Sequence, residues 1–449
     1  AHRRVSVPPP QSGHRMMARP GVPLLVHVAA VLLQLPSARG AEFHGEHDAS
    51  HSIVLWRRTK RHHLRNARVQ VEVGVSTQQI NVTTPLEDRI SEYIGVIGVG
   101  TGDGGKPQFQ ARVVFDTGST NLWVASVLCS SYPCNAETKR RFYDPAKSTT
   151  QEAWYQKGVR ADDKDIDVTF GTGELVGPLH VDTYRVGDIV VHRQPFAMIR
   201  KMNGDVFAAF EFEGILGLGF RSMSFAGIDP FFDRVIEQKL LPRNEFAFFF
   251  NADHSQPSAL LWGGVDKDYY HGPIRMFPVV QAHYWAVELV DFRIGNQSLA
   301  KDTKRLIFDT GTTYFTAPTA MLNDIFAKIP EAPCSQTEKY EPLTFVLRGS
   351  DQSTYDLVVP HETYMIGGAD GAACQPAFMR LDITNEYGPA MILGEVFMRT
   401  FFTVFSRGDG DVKNAKIGIA KAKTGPMPKL QTKTPSFLQP GVAASFLQP

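Results

Sequence analysis

The sequence predicts an all-β protein made of two related lobes, and three observations carry that prediction. From Glu92 onward, short runs of β-branched and aromatic residues alternate with Gly-rich turns. The composition, with 38 Gly, 29 Pro and 30 Phe in 449 residues, favours turns and aromatic strands over a helical bundle. One pair of signatures also occurs twice in the same order. VVFDTGSTNLW begins at Val113 and is followed by GILGLGF at Gly214–Phe220; LIFDTGTTYFT begins at Leu306 and is followed by MILGEVF at Met391–Phe397. A single Asp-Thr-Gly is weak, but two, each behind an apolar run and each with its own Ile-Leu-Gly, imply duplicated lobes.

Taken in order, the strand-like runs are Tyr93–Val99, Ala111–Phe115, Val168–Phe170, Val186–Val191, Phe246–Phe250 and Tyr284–Ile294. Helical spacing of apolar residues marks Pro230–Leu240 and Thr319–Lys328. These divide the chain into an N-terminal lobe at 86–270 and a C-terminal lobe at 271–420.

The flanks differ from this body. Residues 1–15, a basic, Pro-containing run before Met16 and Met17, read as lying upstream of a secretory signal peptide. Arg19 supplies the charge, Pro23–Leu35 the apolar segment and Ala38-Arg39-Gly40 the small residues around a cut after Gly40. The apolar segment is too short to serve as a stable span. Residues 41–85 form a basic leader with His44, His47, His51, His62 and His63 and no acid between Ala49 and Val71. The tail, 421–449, is rich in Lys, Pro and Thr and is expected to be disordered. It carries Ser436-Phe437-Leu438-Gln439-Pro440 and again Ser445-Phe446-Leu447-Gln448-Pro449, a tandem element.

Formal net charge is +1, which argues against a nucleic-acid partner. Residues 1–85 hold 11 of the 47 Lys+Arg and 4 of the 46 Asp+Glu, leaving 36 against 42, a body of net charge −6. A cationic leader lying on an acidic body is the expected arrangement. Four cysteines fit an oxidising compartment, with Cys129–Cys134 and Cys334–Cys374 as the expected local pairs. C-x4-C can also hold zinc, but no compact His/Cys set accompanies it, so neither metal nor cofactor is expected. The sequons Asn81-Val82-Thr83 and Asn296-Gln297-Ser298 are available to glycosylation.

An apolar strand that ends in Asp-Thr-Gly puts a carboxylate at a buried strand end, and the Gly allows close backbone approach and donates an N–H to the acid. If a pseudo-twofold axis brings Asp116 and Asp309 together, the two cannot both ionise; as is well known for such dyads, they share a proton and their pKa values split. One carboxylate then serves as general base for a water, and the other, protonated, polarises a carbonyl. Ser119 and Thr312, three residues after each Asp, can donate to the outer oxygens and hold the pair acidic.

At these residues the chain resembles the pepsin-like aspartic proteases, over roughly Glu92–Ala420. The likeness extends to FGTGELVG at Phe170–Gly177, FEGILGLGF at Phe212–Phe220, WGGVDKDYYHGPI at Trp262–Ile274 and the cysteine placement. It implies a bilobal pepsin-like fold with pseudo-twofold related lobes, a central cleft and an N-lobe β-hairpin flap. It also implies a monomer that takes extended polypeptide substrates and its own pro-segment, without cofactor or membrane span. Asp116 and Asp309 would be catalytic, with Ser119 and Thr312 in support. Gly118, Gly171, Thr172, Gly311, Thr312 and Thr313 would line the substrate backbone, and Val114, Phe207, Tyr284 and Ile307 the pocket walls. In most of the family the flap begins with a Tyr that bonds the Trp after the first Asp-Thr-Gly. Here Phe170 stands in that place and Trp123 remains. This Phe resembles the plasmepsin IX and X group of apicomplexan parasites, which implies a maturase of other proteins in the secretory pathway, in an acidic secretory or endosome-like vesicle. Catalytically silent binding proteins share the scaffold, such as pregnancy-associated glycoproteins and plant xylanase-inhibitor-like relatives. They tend to lose an Asp or Gly of the motif; this chain keeps all four.

Overall fold

A computed structural model of the chain describes residues 82–88, 93–134, 140–156, 159–160, 165–170, 173–204, 207, 212–367, 373–383 and 387–426. The signal segment, the leader up to residue 81, Gly171, Thr172 and both copies of the tail repeat lie outside the described residues. The architecture is mainly β and bilobal, as expected.

The two lobes repeat one strand arrangement. In the first, Phe109–Asp116 runs parallel to Gly214–Gly217, with Gly217 opposite Asp116, and Gly214–Gly217 is antiparallel to Leu122–Ala125. In the second, Arg305–Phe308 runs parallel to Ala390–Leu393, which is antiparallel to Phe315–Ala317. Each Ile-Leu-Gly strand is thus threaded between the strand entering an Asp-Thr-Gly loop and the strand leaving it. This explains why the second signature had to recur: without it the loop's two arms have no shared partner. A further strand lies parallel to each outgoing arm, Ile189–Ile199 in the first lobe and Phe378–Arg380 in the second.

A sheet built from both lobes joins them. Its order is Val82–Asp88, Ser258–Trp262, Glu245–Phe249, Phe401–Ser406, Lys416–Ala422 and Tyr270–Pro278, every neighbouring pair antiparallel. Reading outward from the junction of Glu245–Phe249 with Phe401–Ser406, each half presents the same succession of strands, so the pseudo-twofold axis passes between them. The expected leader boundary at residue 85 and tail boundary at 420 both fall inside strands of this sheet.

Aromatic side chains pack densely at this junction. Trp262 is fully buried and meets Phe115, Phe231, Phe232 and Phe246, while Trp285 meets Phe220, Phe246 and Phe405. The Trp285 indole donates to the Leu218 carbonyl at 2.9 Å, so a side chain of the second lobe closes on the backbone after the first Ile-Leu-Gly.

Most expected elements fall where the pattern put them, with one correction. The apolar run Val186–Val191 is not a single strand. Gly187, at φ +57°, turns the chain between Gly173–Val186 and Ile189–Ile199, whose register pairs Val186 with Ile189. The apolar residues straddle a hairpin tip, which a run-based reading cannot separate from a strand. The helices settle at Phe231–Glu237 and Thr319–Lys328. Both expected disulfides are formed.

Trp262→Ala is expected to remove about 3–5 kcal/mol of stability, because a fully packed aromatic leaves a cavity that rigid strands cannot close. Urea unfolding monitored by circular dichroism checks this, and a loss under ~1 kcal/mol would contradict the packing described.

Candidate active site

Asp116 and Asp309 sit at the ends of their strands because the Ile-Leu-Gly strands hold their backbones: Leu218 N–H donates to the Asp116 carbonyl at 2.7 Å, and Asp309 N–H donates to the Leu393 carbonyl at 3.1 Å. Both side chains are buried, 0% and 2% exposed, and they lie within hydrogen-bonding reach of each other. The inner oxygen of each accepts a backbone N–H two residues on, Gly118 to Asp116 and Gly311 to Asp309, both at 2.8 Å. The outer oxygen of each accepts a hydroxyl three residues on, from Ser119 and from Thr312, the latter at 2.7 Å. The expected pair and its expected supports are therefore brought together.

The glycines do more than supply an N–H. A Cβ on Gly118 would stand 2.4 Å from the Asp309 carboxyl, and one on Gly311 2.5 Å from the Asp116 carboxyl. Each lobe's glycine leaves the space that the other lobe's acid fills, so any side chain at either position would force the dyad apart.

What holds the loops in register was not anticipated. Thr117 and Thr310, the middle residues of the two motifs, cross between lobes. Thr117 N–H donates to Thr310 Oγ1 and Thr310 N–H to Thr117 Oγ1, both at 3.0 Å; the hydroxyls then donate to the Phe308 and Phe115 carbonyls at 2.9 and 2.7 Å. All four groups are buried, so each hydroxyl satisfies an N–H and a C=O that would otherwise be left unpaired. The signal was present in the sequence: Thr occupies the middle of both copies, and only a residue that can both accept and donate fits that place.

Burial outweighs the hydroxyls in setting proton affinity. It pushes Asp309 well above the ordinary Asp range, the negative charge of Asp116 pushes further, and the Thr312 hydroxyl only partly opposes them. Asp116 is also raised, again chiefly by burial, with the Ser119 hydroxyl opposing. The expectation that these hydroxyls hold the pair acidic is thus corrected: they lower both values, and desolvation wins.

Of the remaining candidates, Val114, Phe207 and Ile307 are buried in apolar clusters. Val114 joins a buried cluster with Ile94, Trp123, Phe207, Phe212 and Ile215, and Ile307 joins one with Ala286, Ala390 and Ile392, against which Tyr284 packs. Burial pushes the Tyr284 phenol up to about 12, with the Asp309 charge the second cause. Thr313, nearly buried, gives its carbonyl to Val396 N–H at 3.1 Å. Phe170 pairs with Gly173 at the end of the Asp165–Phe170 hairpin, the place expected of a flap. Trp123 packs edge-on against Phe207 at 6.3 Å and tilted against Phe212 at 6.2 Å. Arg140 lies buried with its guanidinium on the Phe207 and Phe212 carbonyls, a role that a charged residue in a Lys-Arg-Arg run did not signal. Behind it, Glu213 is fully buried and paired with Arg112 at 2.6 Å and Arg141 at 3.4 Å.

Two outcomes follow from this geometry. Thr117→Val and Thr310→Val each leave a buried N–H and a buried C=O without a partner, so each is expected to cost about 1–3 kcal/mol and to lower activity. Denaturant midpoints measured beside turnover check this; a destabilisation of either variant below ~0.5 kcal/mol would contradict it. The second concerns pH. Because Asp309 binds its proton more tightly folded than unfolded, the native state carries more protons between the ordinary value of 3.8 and its raised value. Stability therefore falls as pH rises through that window, and Asp309→Asn removes this share of the fall. The variant's stability advantage is expected to widen from acid toward neutral pH; a constant difference would contradict it.

The sequence signature of the family described as Eukaryotic aspartyl protease matches residues 92–422. Aspartic protease 3 of Toxoplasma gondii is 37% identical over 351 residues, which is 75% of this chain and 51% of that protein, so the chain spans about half the length of this relative. Pepsin A of Bos taurus is 30% identical over 374 residues, 81% of this chain and 92% of the pepsin. Pepsin A of Sus scrofa is 32% identical over 347 residues, with 75% and 83% covered.

Proposed function

The chain belongs to the pepsin-like eukaryotic aspartyl protease family, whose members act on polypeptides, and from that premise we propose that it is an active endopeptidase with Asp116 and Asp309 as its catalytic pair. The observation that carries the reading is the intact, cross-braced dyad: two buried carboxyls in mutual reach, each with a glycine N–H on one oxygen and a hydroxyl on the other. Asp309, the more strongly raised of the two, is assigned the shared proton. Asp116 takes a proton from water as the water oxygen bonds to the peptide carbonyl carbon, and Asp309 gives its proton to the carbonyl oxygen. As the C–N bond of the resulting diol breaks, Asp116 passes its proton to the leaving nitrogen and a diol hydroxyl returns one to Asp309, so the pair again holds a single proton.

Gly118, Gly311, Thr313 and the strands paired at Phe170 and Gly173 supply the walls against which an extended peptide lies; Gly171 and Thr172, also assigned to this role, lie outside the described residues. Val114, Phe207, Tyr284 and Ile307 shape the apolar sides. The reading includes a secretory route, supported by the two disulfides, and a basic pro-segment that pairs with the acidic body. The finer assignment is a maturase of other secretory proteins, like the plasmepsin IX and X group; the Phe170 substitution and the likeness to the Toxoplasma protease support it.

Asp116→Asn and Asp309→Asn are each expected to lower peptide cleavage by ~10²–10⁴-fold or more while the fold survives, because a carboxamide is nearly isosteric but cannot share the proton. Cleavage of a peptide library with and without pepstatin, beside circular dichroism, tests this. Wild type that cuts nothing yet binds pepstatin would favour a silent binding protein instead.

A further inference from the structure

Asn296 stands exposed at the tip of a tight hairpin turn. The strand Ala286–Ile294 turns back into Gln297–Ser298, with Ile294 opposite Gln297 and Arg293 opposite Ser298, so the turn consists of Gly295 and Asn296 alone. Gly295 adopts φ +55°, which such a two-residue turn requires at its first position. Asn296, Gln297 and Ser298 are all exposed, and the sequon's middle residue is not Pro. Ser298 donates its hydroxyl to Asp291 Oδ1 at 2.6 Å, leaving the Asn296 side chain at the tip. Around it lies an open depression of about 520 Å³, lined by Ile294, Gly295, Asn296, Gln297, Lys328 and Glu341. Its charged and amide rim offers hydrogen-bond partners to sugar hydroxyls. The other sequon begins at Asn81, outside the described residues, and its Thr83 lies in a strand paired with Leu261 of the interlobe sheet.

The same strand sets the distance from the site. Its first residue, Ala286, pairs with Ile307, two positions before Asp309, whereas Asn296 follows its last. Eight steps of ~3.4 Å along this strand separate its two ends by roughly 27 Å. A glycan at this turn therefore stands clear of the dyad.

We propose that Asn296 is an N-glycosylation site of the folded protein, occupied on the secretory route and remote from catalysis. The proposal rests on the secretory reading above but not on the catalytic one. In the transfer, Asn296 Nδ2 bonds to the anomeric carbon of an oligosaccharide carried on a polyprenyl diphosphate. The diphosphate leaves with the electrons of the anomeric C–O bond, and the Nδ2 proton passes to solvent, so nothing is oxidised or reduced.

The full chain, made in a eukaryotic secretory host, is digested with peptide-N-glycosidase and mapped by mass spectrometry on total membrane-enclosed protein, so that poor export does not mask the result. Conversion of Asn296 to Asp only after the enzyme is expected, as is its loss in Asn296→Gln and in Ser298→Ala. Peptide cleavage by Asn296→Gln is expected to stay within about twofold of wild type. Unmodified Asn296 in disulfide-bonded protein would overturn the site, and a large loss of cleavage in Asn296→Gln with its fold intact would overturn the remoteness. Inactivity of both proteins beside a modified Asn296 would count against the catalytic reading alone.

Discussion

Thr117 and Thr310 each give an N–H to the other's hydroxyl and each hydroxyl to a carbonyl of the other lobe, and much of the molecule depends on that exchange. Carboxylates pressed together repel, and two lobes connected only by a sheet at their base would relieve the repulsion by opening. Four buried hydrogen bonds across the axis oppose it, placed one residue after each acid. The glycines complete the constraint, since each leaves the volume the opposing carboxyl occupies. The dyad is thus a property of the interface between lobes and belongs to neither lobe alone.

The scaffold explains how such an interface can be held. Each Ile-Leu-Gly strand bonds both arms of its own loop, so the acid's backbone cannot shift without breaking a ladder. Beneath, the interlobe sheet pairs Glu245–Phe249 with Phe401–Ser406 around a core of stacked aromatics, Phe246 on Phe405 at 5.1 Å among them. Tyr93 and Arg399 add a polar link across the lobes at 3.1 Å. Rigid support is what makes desolvation decisive for the acids: carboxyls that cannot turn toward water must take up or share a proton.

Legibility in the sequence followed the physics of repetition. Asp116, Asp309, their glycines and their hydroxyls were readable because each occurs twice in one pattern, and the two-lobe architecture came with them. Strand limits were readable where a run kept one period, as at Tyr93–Val99, and failed at Val186–Val191, where apolar residues flank a turn. The Thr117–Thr310 exchange was present in the letters but needed three dimensions, because a bond between residues 193 apart has no local signature. Arg140 and Glu213 were opaque for a different reason: composition places charge at the surface, and only the carbonyls of Phe207 and Phe212, or the paired guanidinium groups, explain a charge inside. The balance between burial and hydroxyl donation was likewise out of reach, since it depends on how completely water is excluded.

The two lobes bring two carboxyls so close that a single shared proton is expected. Carbon-13 NMR of carboxyl-labelled aspartate, with Asp116 and Asp309 assigned through their Asn variants, measures it directly across a pH titration. Two well-separated steps belonging to the pair are expected, the upper one well above the ordinary Asp range. Two carboxyls that titrate together near the ordinary value would contradict that expectation.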